Sequence, residues 1–352
     1  MTKKERINYL DMARGIGIIL VVIGHISYVA EPIRNYVTAF HMPLFFLISG
    51  ILIQYKGEEK AAFSVTFRKK VKSLMLPYLI FSVLYFFIES VRLIIRDLDE
   101  WNVVFRQVWQ SFCLQGVSAL WFLPALFFGE VIFVWIRKHF GHIFTAICLL
   151  LFVGIAYFAD GYASGFFETH ISLGYSLLED FVSMIIRSIF CVGLVGFGYY
   201  LSKLFINRKI TVLLEAVSSV LLFVLLGVLV KYNAPVDLRT MELGNPVLFL
   251  AGGIIGSAGV ILMCRVISGI SLRPLHSVLE YFGRNSLWIM ATHIEFRVLY
   301  LAILLATFLN SIFDNNALFC FFIVLFVFLM EIVVIEIINR ILRFLNKKSK
   351  IS

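Results

Sequence analysis

Arg14 and His25 share one apolar segment, eleven positions apart, and are the most informative ionisable pair in the chain. An imidazole gains and loses a proton near neutral pH, while a guanidinium keeps its charge and holds anions through a planar fork of donors. On a helix, eleven steps of 100° come to about 1100°, roughly 20° past three turns, so both side chains project from one face with a rise of about 16.5 Å between them. Proton transfer at one end of a helix and anion capture at the other are the chemistry such a pair could do.

Other ionisable groups interrupt apolar stretches too: His41, Glu130, Arg187, His293, Arg297, Glu331 and Glu336. Each costs about 2.5 to 3.5 kcal/mol to insert into a bilayer, so such groups face partners or a wet cavity. Counting along the helices places Asp11, Arg14, Glu331 and Glu336 at one depth, Glu130 and His293 near the middle, and His25, His41 and Arg187 toward the far side. The pattern predicts a polar path through a bundle. Plain structural roles compete with function at several of these positions. Asp11, three residues before Arg14, is placed to neutralise it. His293 and Arg297 share a face that suits a hydrogen bond to a neighbour, and Glu331 and Glu336 read as helix-to-helix partners.

The elements that carry these groups follow from composition. The chain has 352 residues, 61% hydrophobic and 15% charged, against roughly 25% charged in soluble domains. That excludes an ordinary soluble protein and predicts an all-α, polytopic transmembrane bundle. At about 20 residues per span, apolar segments lie near 7–29, 38–55, 73–95, 119–136, 143–160, 181–202, 210–230, 247–267, 285–308 and 317–339. About ten spans leave no room for a separate soluble domain, so 1–352 is read as a single integral-membrane domain.

The net charge of +9 is read as topology and not as a nucleic-acid site. With the N-terminus inside, most Lys and Arg fall on the inner side, Lys3, Lys4, Arg208, Lys209 and Lys350 among them. The positive-inside rule then places both termini in the cytoplasm. The five cysteines carry no C-x-x-C or metal spacing, which predicts neither a disulfide framework nor a metal site. Asp11, Arg14 and His25 inside the first segment, with no A-x-A-like site after it, predict a retained span and not a cleaved signal.

At these residues the chain resembles the integral-membrane acyltransferase 3 family, whose first span carries an Arg, ten residues and a His. Phe40-His41-Met42-Pro43-Leu44-Phe45-Phe46-Leu47-Ile48-Ser49-Gly50 resembles the family's second span. Leu120-Trp121-Phe122-Leu123-Pro124-Ala125-Leu126 is similar to the fourth span of its sugar O-acetylase branch, the fucose 4-O-acetylase-like proteins. The run from Phe282-Gly283-Arg284-Asn285-Ser286-Leu287 to His293 resembles a late span ending in His. One motif departs: the family's arginines before the third span appear as Arg68-Lys69-Lys70-Val71-Lys72 ahead of Pro77. Lysine attracts a phosphate as a point charge but cannot grip it bidentately.

The resemblance implies transfer of an acyl group, most simply acetyl, from cytoplasmic acyl-CoA across the plasma (inner) membrane to a sugar hydroxyl of a surface or exported glycan. Arg14, Arg68, Lys69, Lys70 and Lys72 would then hold the donor, with no metal. His25 would act as general base or carry the acyl group itself, with His293 and Glu130 assisting catalysis. His41, Arg187 and Trp121 would meet the acceptor. Gly15, Gly17 and Gly24 would leave room for the pantetheine arm, so that Arg14 and His25 border one narrow tunnel. A polysaccharide or glycolipid exporter or flippase is the alternative, since a polar path suits it equally.

Overall fold

The computed structural model describes residues 5–169, 173–206, 211–270, 272–313 and 316–348. Lys3, Lys4, Arg208, Lys209 and Lys350 of the charge pattern lie outside them. The elements are α1 (Asn8–Gly24), α2 (Glu31–Thr38), α3 (His41–Lys56), α4 (Phe63–Lys70), α5 (Leu76–Arg96), α6 (Trp101–Phe112), α7 (Phe122–His139) and α8 (His142–Thr169). They continue as α9 (Leu173–Phe205), α10 (Val212–Lys231), α11 (Pro246–Ser268), α12 (Arg273–Arg284), α13 (Ser286–Thr292), α14 (Val298–Phe313) and α15 (Asn316–Lys348). Among the described residues the only strand-like pairing is an isolated antiparallel bridge, Asp237 to Glu242.

The fold is the all-α polytopic bundle that composition predicts, with 8 helical runs among the described residues long and apolar enough to cross a membrane, two of them joining consecutive helices: Glu31–Lys56 takes in α2 and α3, and Phe63–Arg96 takes in α4 and α5. The two remaining segments of the sequence reading depart from continuous spans. The first is α1, only 17 residues long, ending at Gly24. The ninth is broken: α13 stops at Thr292, and the chain turns at Arg297, which adopts φ 58°, a left-handed conformation uncommon for any residue but glycine. Both interrupted segments end on a histidine. Irregular backbone at such depth is tolerated where protein buries it or where it lines a cavity.

The centre of the bundle is α3, which packs on α9, α11, α1 and α7; Phe46, Leu44, Leu47 and Ile48 are wholly enclosed there. The outer helices show the reverse pattern, with Phe158 76% and Leu213 75% exposed. A soluble protein would not leave such surface in water; lipid covers it, and the chain is a multi-pass membrane protein.

Helix α1 lies backbone to backbone against α12. A Cβ on Gly15 would sit 2.1 Å from the Leu279 carbonyl oxygen, and one on Gly283 would sit 1.7 Å from that of Asp11. Small residues permit this approach, and it corrects the expectation of a groove along α1. Gly15 is filled by α12, and Gly17 by the Phe45 ring and the Leu44 side chain, 3.0 and 3.1 Å from its would-be Cβ. Only Gly24 stays open, its nearest neighbour being Thr38 Cγ2 at 4.0 Å.

Candidate active site

Helices that end abruptly position the two histidines. His25 caps α1, with Nδ1 2.8 Å from the Val21 carbonyl oxygen. His293 caps α13, with Nδ1 2.7 Å from the Ile289 carbonyl oxygen. In each ring Nδ1–H donates to the carbonyl four residues back, and this network assigns the tautomer. Nε2 therefore keeps its lone pair. His293 Nε2 lies 3.5 Å from His25 Nδ1 with the rings edge to face, 5.2 Å between centroids. His293 is buried and His25 is exposed to cavities on either side.

One cavity, about 560 Å³, is lined by His25, His41, Met42, Trp121, Asp237 and Arg239. The other, about 540 Å³, is lined by His25, Tyr85, Glu89, Gln107, Glu295 and Arg297. His41 therefore stands level with His25, as counting along the helices predicts; its Nδ1 is 2.9 Å from the Val37 carbonyl oxygen. His293 does not lie at mid-depth. Because α13 ends after 7 residues, it comes to the level of His25 and touches it.

Arg187 stays at this end but lines neither cavity. It is buried, its guanidinium 5.1 Å from the Trp121 ring, and it donates to the Arg239 carbonyl at 2.7 Å and to Gln115 Oε1 at 2.6 Å. Its place is behind Trp121, fixing the chain that carries Arg239. Glu295 was not singled out in the sequence. It is buried, accepts from the Ala119 amide at 2.8 Å and faces the cavity beside His25. The signal was available: His293, Glu295 and Arg297 fall in one short stretch of an apolar segment.

The opposite end is basic. Arg14 is half-buried, with a nitrogen 3.9 Å from Asp11, which also pairs with Arg6 and lies 3.7 Å from Arg284. Asp11 therefore shares its charge among three cations and does not neutralise Arg14 alone. Arg14 lines two cavities, of about 650 and 310 Å³. Lys56 and Lys69 border both, and Lys70 the smaller one.

Glu130 belongs to this end and not to the histidines. It accepts from Ser49 Oγ and lies 2.9 Å from Lys70 Nζ, which is also 2.9 Å from Glu58. Burial pushes the Glu58 carboxyl up, but Lys70 and Lys69 outweigh it and hold the group below the usual carboxylate range. Arg68 and Lys72 are exposed and line neither basic cavity.

Arg14 and His25 line separate cavities, not the one narrow tunnel the sequence suggested. Phe45, Phe122 and Met290 close the inner wall of the smaller basic cavity, while Met42 and Trp121 face the histidine side. Phe45 and Phe122 meet edge to face, 5.6 Å between centroids. The partition is thin, since Met42 and Phe45 are one turn apart and Trp121 adjoins Phe122. Glu331 and Glu336 act as partners between helices. The Thr292 hydroxyl donates to Glu331 at 2.8 Å and the Tyr281 hydroxyl to Glu336 at 3.3 Å. Glu331 thus sits beside the histidine pair and not at the depth of Arg14.

Neither the curated proteins nor the solved structures contain a match to the chain. A family profile does: the Acyltransferase domain matches residues 7–335, taking in Arg14, both histidines and the broken helix. By that match over nearly its whole length, the chain belongs to the acyltransferase 3 family.

Proposed function

We propose that this acyltransferase moves an acyl group, most simply acetyl, from acyl-CoA held at the basic end to a sugar hydroxyl in the cavities around His25. In this reading the basic end faces the cytoplasm of a plasma (inner) membrane and the acceptor is a surface or exported glycan. One observation carries it: an accessible imidazole with a bare Nε2 stands one helix length from cavities rich in Arg and Lys. A CoA carries phosphates at one end and its thioester at the far end of a long thin arm. Arg14, Lys56 and Lys69 suit the phosphates, while Lys70 is held between Glu58 and Glu130, and the rise of about 16.5 Å along α1 suits the arm once the Phe45–Phe122 partition parts.

His25 Nε2 takes the proton of the attacking hydroxyl as its oxygen bonds to the thioester carbon. The carbonyl electron pair moves onto oxygen. It returns to re-form the carbonyl as the carbon–sulfur bond breaks, and the imidazolium hands its proton to the departing thiolate. His293 Nε2, facing His25 Nδ1–H, steadies the ring and the charge it acquires. Trp121 and His41 form the wall against which the acceptor rests.

The test uses purified protein in liposomes with labelled acetyl-CoA and a sugar acceptor. Label should enter the acceptor as an ester, and detergent-solubilised protein should bind acetyl-CoA saturably. No saturable binding overturns the acyl-CoA reading in favour of the exporter, which needs no CoA. Undiminished transfer by His25→Ala overturns the role of His25.

A further inference from the structure

The two cavities that flank His25 share three residues: His25 itself, Ser118 and Arg239. Whatever occupies both chambers at once passes between these three side chains.

Ser118 adopts φ 46°, a conformation that costs a non-glycine residue about 1 to 3 kcal/mol and persists only where surroundings hold it. Here they do. Ser118 opens the single helical turn Ser118–Trp121, and the next amide, Ala119, is clasped by buried Glu295 at 2.8 Å. The turn holds Ser118 in the lining of both cavities.

Arg239 is held as firmly by its backbone. Its carbonyl accepts from buried Arg187 at 2.7 Å and its amide donates to Asp237 Oδ1 at 2.8 Å. Its guanidinium is committed to neither. Arg297 is engaged by Glu89 at 2.8 Å, Arg106 by Asp180 at 2.9 Å, and Arg34 by the Ser27 and Val29 carbonyls at 3.0 and 3.1 Å. Among the described residues no ion pair involves Arg239. A cation without an ion-pair partner among the described residues and a strained serine therefore line the same two cavities as the accessible imidazole.

We propose that Ser118 and Arg239 are catalytic residues that hold the carbonyl oxygen of the acyl group as negative charge grows on it. This rests on the reading of the protein as an acyl-CoA-dependent transferase. When the hydroxyl oxygen bonds to the thioester carbon and His25 takes the proton, the displaced electron pair settles on an oxygen that has the Ser118 donors on one side and the Arg239 guanidinium on the other. As the pair returns and the carbon–sulfur bond breaks, both donors release it. Preorganised donors of this kind act mainly in the transition state. Glu295 and Arg187 are their positioning residues.

The experiment measures steady-state transfer by purified wild type, Arg239→Ala, Arg239→Lys, Ser118→Ala and Ser118→Gly in liposomes, with acetyl-CoA and acceptor varied in turn. Each removal should lower kcat by about 10²- to 10³-fold, with both KM values within about threefold of wild type. Guanidinium ion added to Arg239→Ala should restore part of kcat and do nothing for Ser118→Ala. Ser118→Gly relieves the backbone conformation, so it should be as inactive as Ser118→Ala while melting no lower than wild type. A wild-type kcat in Ser118→Ala overturns the proposal, as does an Arg239→Ala effect confined to acceptor KM, which would mean recognition of an anionic acceptor. Should Arg239→Ala not fold, Arg239→Lys and the two Ser118 variants decide. A wild-type protein that turns over no acetyl-CoA overturns the underlying functional reading instead.

Discussion

His293 Nε2 points at Nδ1 of His25 across 3.5 Å, and each ring is tied by its own Nδ1 to a carbonyl one turn back. The arrangement orients His25 without occupying the nitrogen that reaches the cavities. It also makes the two histidines unequal, one exposed to the cavities and the other buried behind it.

Replacing His25 should therefore cost far more than replacing His293. His25→Ala should lower transfer by at least about 10²- to 10⁴-fold, the usual yield of a general base, while membrane insertion and detergent elution stay normal. His293→Gln, which can still accept a hydrogen bond, should retain more activity than His293→Leu. Equal rates for the two His293 variants would remove the proposed partnership.

Arg14 lines both basic cavities, where the proposal puts the donor. Arg14→Ala should raise the KM for acetyl-CoA while leaving the acceptor KM near its normal value; the loss of a charged hydrogen bond, about 1.5 to 3 kcal/mol, corresponds to roughly 10- to 150-fold. Isothermal binding of acetyl-CoA to solubilised protein checks the direction. A change confined to the acceptor would place Arg14 elsewhere in the cycle.

Phe45 and Phe122 stand in the lining of the smaller basic cavity and touch edge to face, so in the proposed reaction they separate donor from acceptor. Phe122→Ala should widen the passage beside Trp121 and raise acetyl-CoA hydrolysis in the absence of acceptor, because water then reaches the thioester. Thiol release assayed without sugar reports this directly, and an unchanged rate would show that the partition does not guard the path.

Close packing of α1 on α12 makes a stability prediction at two glycines. Gly283→Ala pushes a methyl into the Asp11 carbonyl, where a Cβ would stand 1.7 Å away, and should destabilise by about 1 to 3 kcal/mol or more. Gly24→Ala meets nothing nearer than 4.0 Å and should melt as wild type does. Thermal unfolding in detergent compares them.

Glu58 sets an acid limit on the basic cavity. Burial raises its carboxyl, but Lys70 and Lys69 lower it further, leaving it below the ordinary value. A carboxyl depressed in the folded state contributes stability that is full above the unfolded pKa, about 4.3, and is lost as pH falls through the lower folded value. Glu58→Gln should abolish this part of the acid dependence, read as melting temperature against pH below about pH 4.3.

The sequence by itself determined the membrane bundle, because 61% apolar residues in span-length runs have no other place to go. It also determined that Arg14 lies on the helix that His25 ends, and that His41 stands level with His25, since helical periodicity and depth are local properties. Tertiary structure alone decided which charges meet. Glu130 looks central in its segment, yet Lys70, arriving from α4, draws it to the basic end. His293 looks like a mid-span residue, yet the break after Thr292 lifts it to His25. Gly17 looks like open space until the Phe45 ring fills it from α3. Ser118 and Arg239 carry no local signal, because what singles them out is that residues far apart in the chain line the same two cavities. Periodicity reads along a helix; ion pairing, ring packing and cavity walls arise between helices, from distances that no single segment encodes.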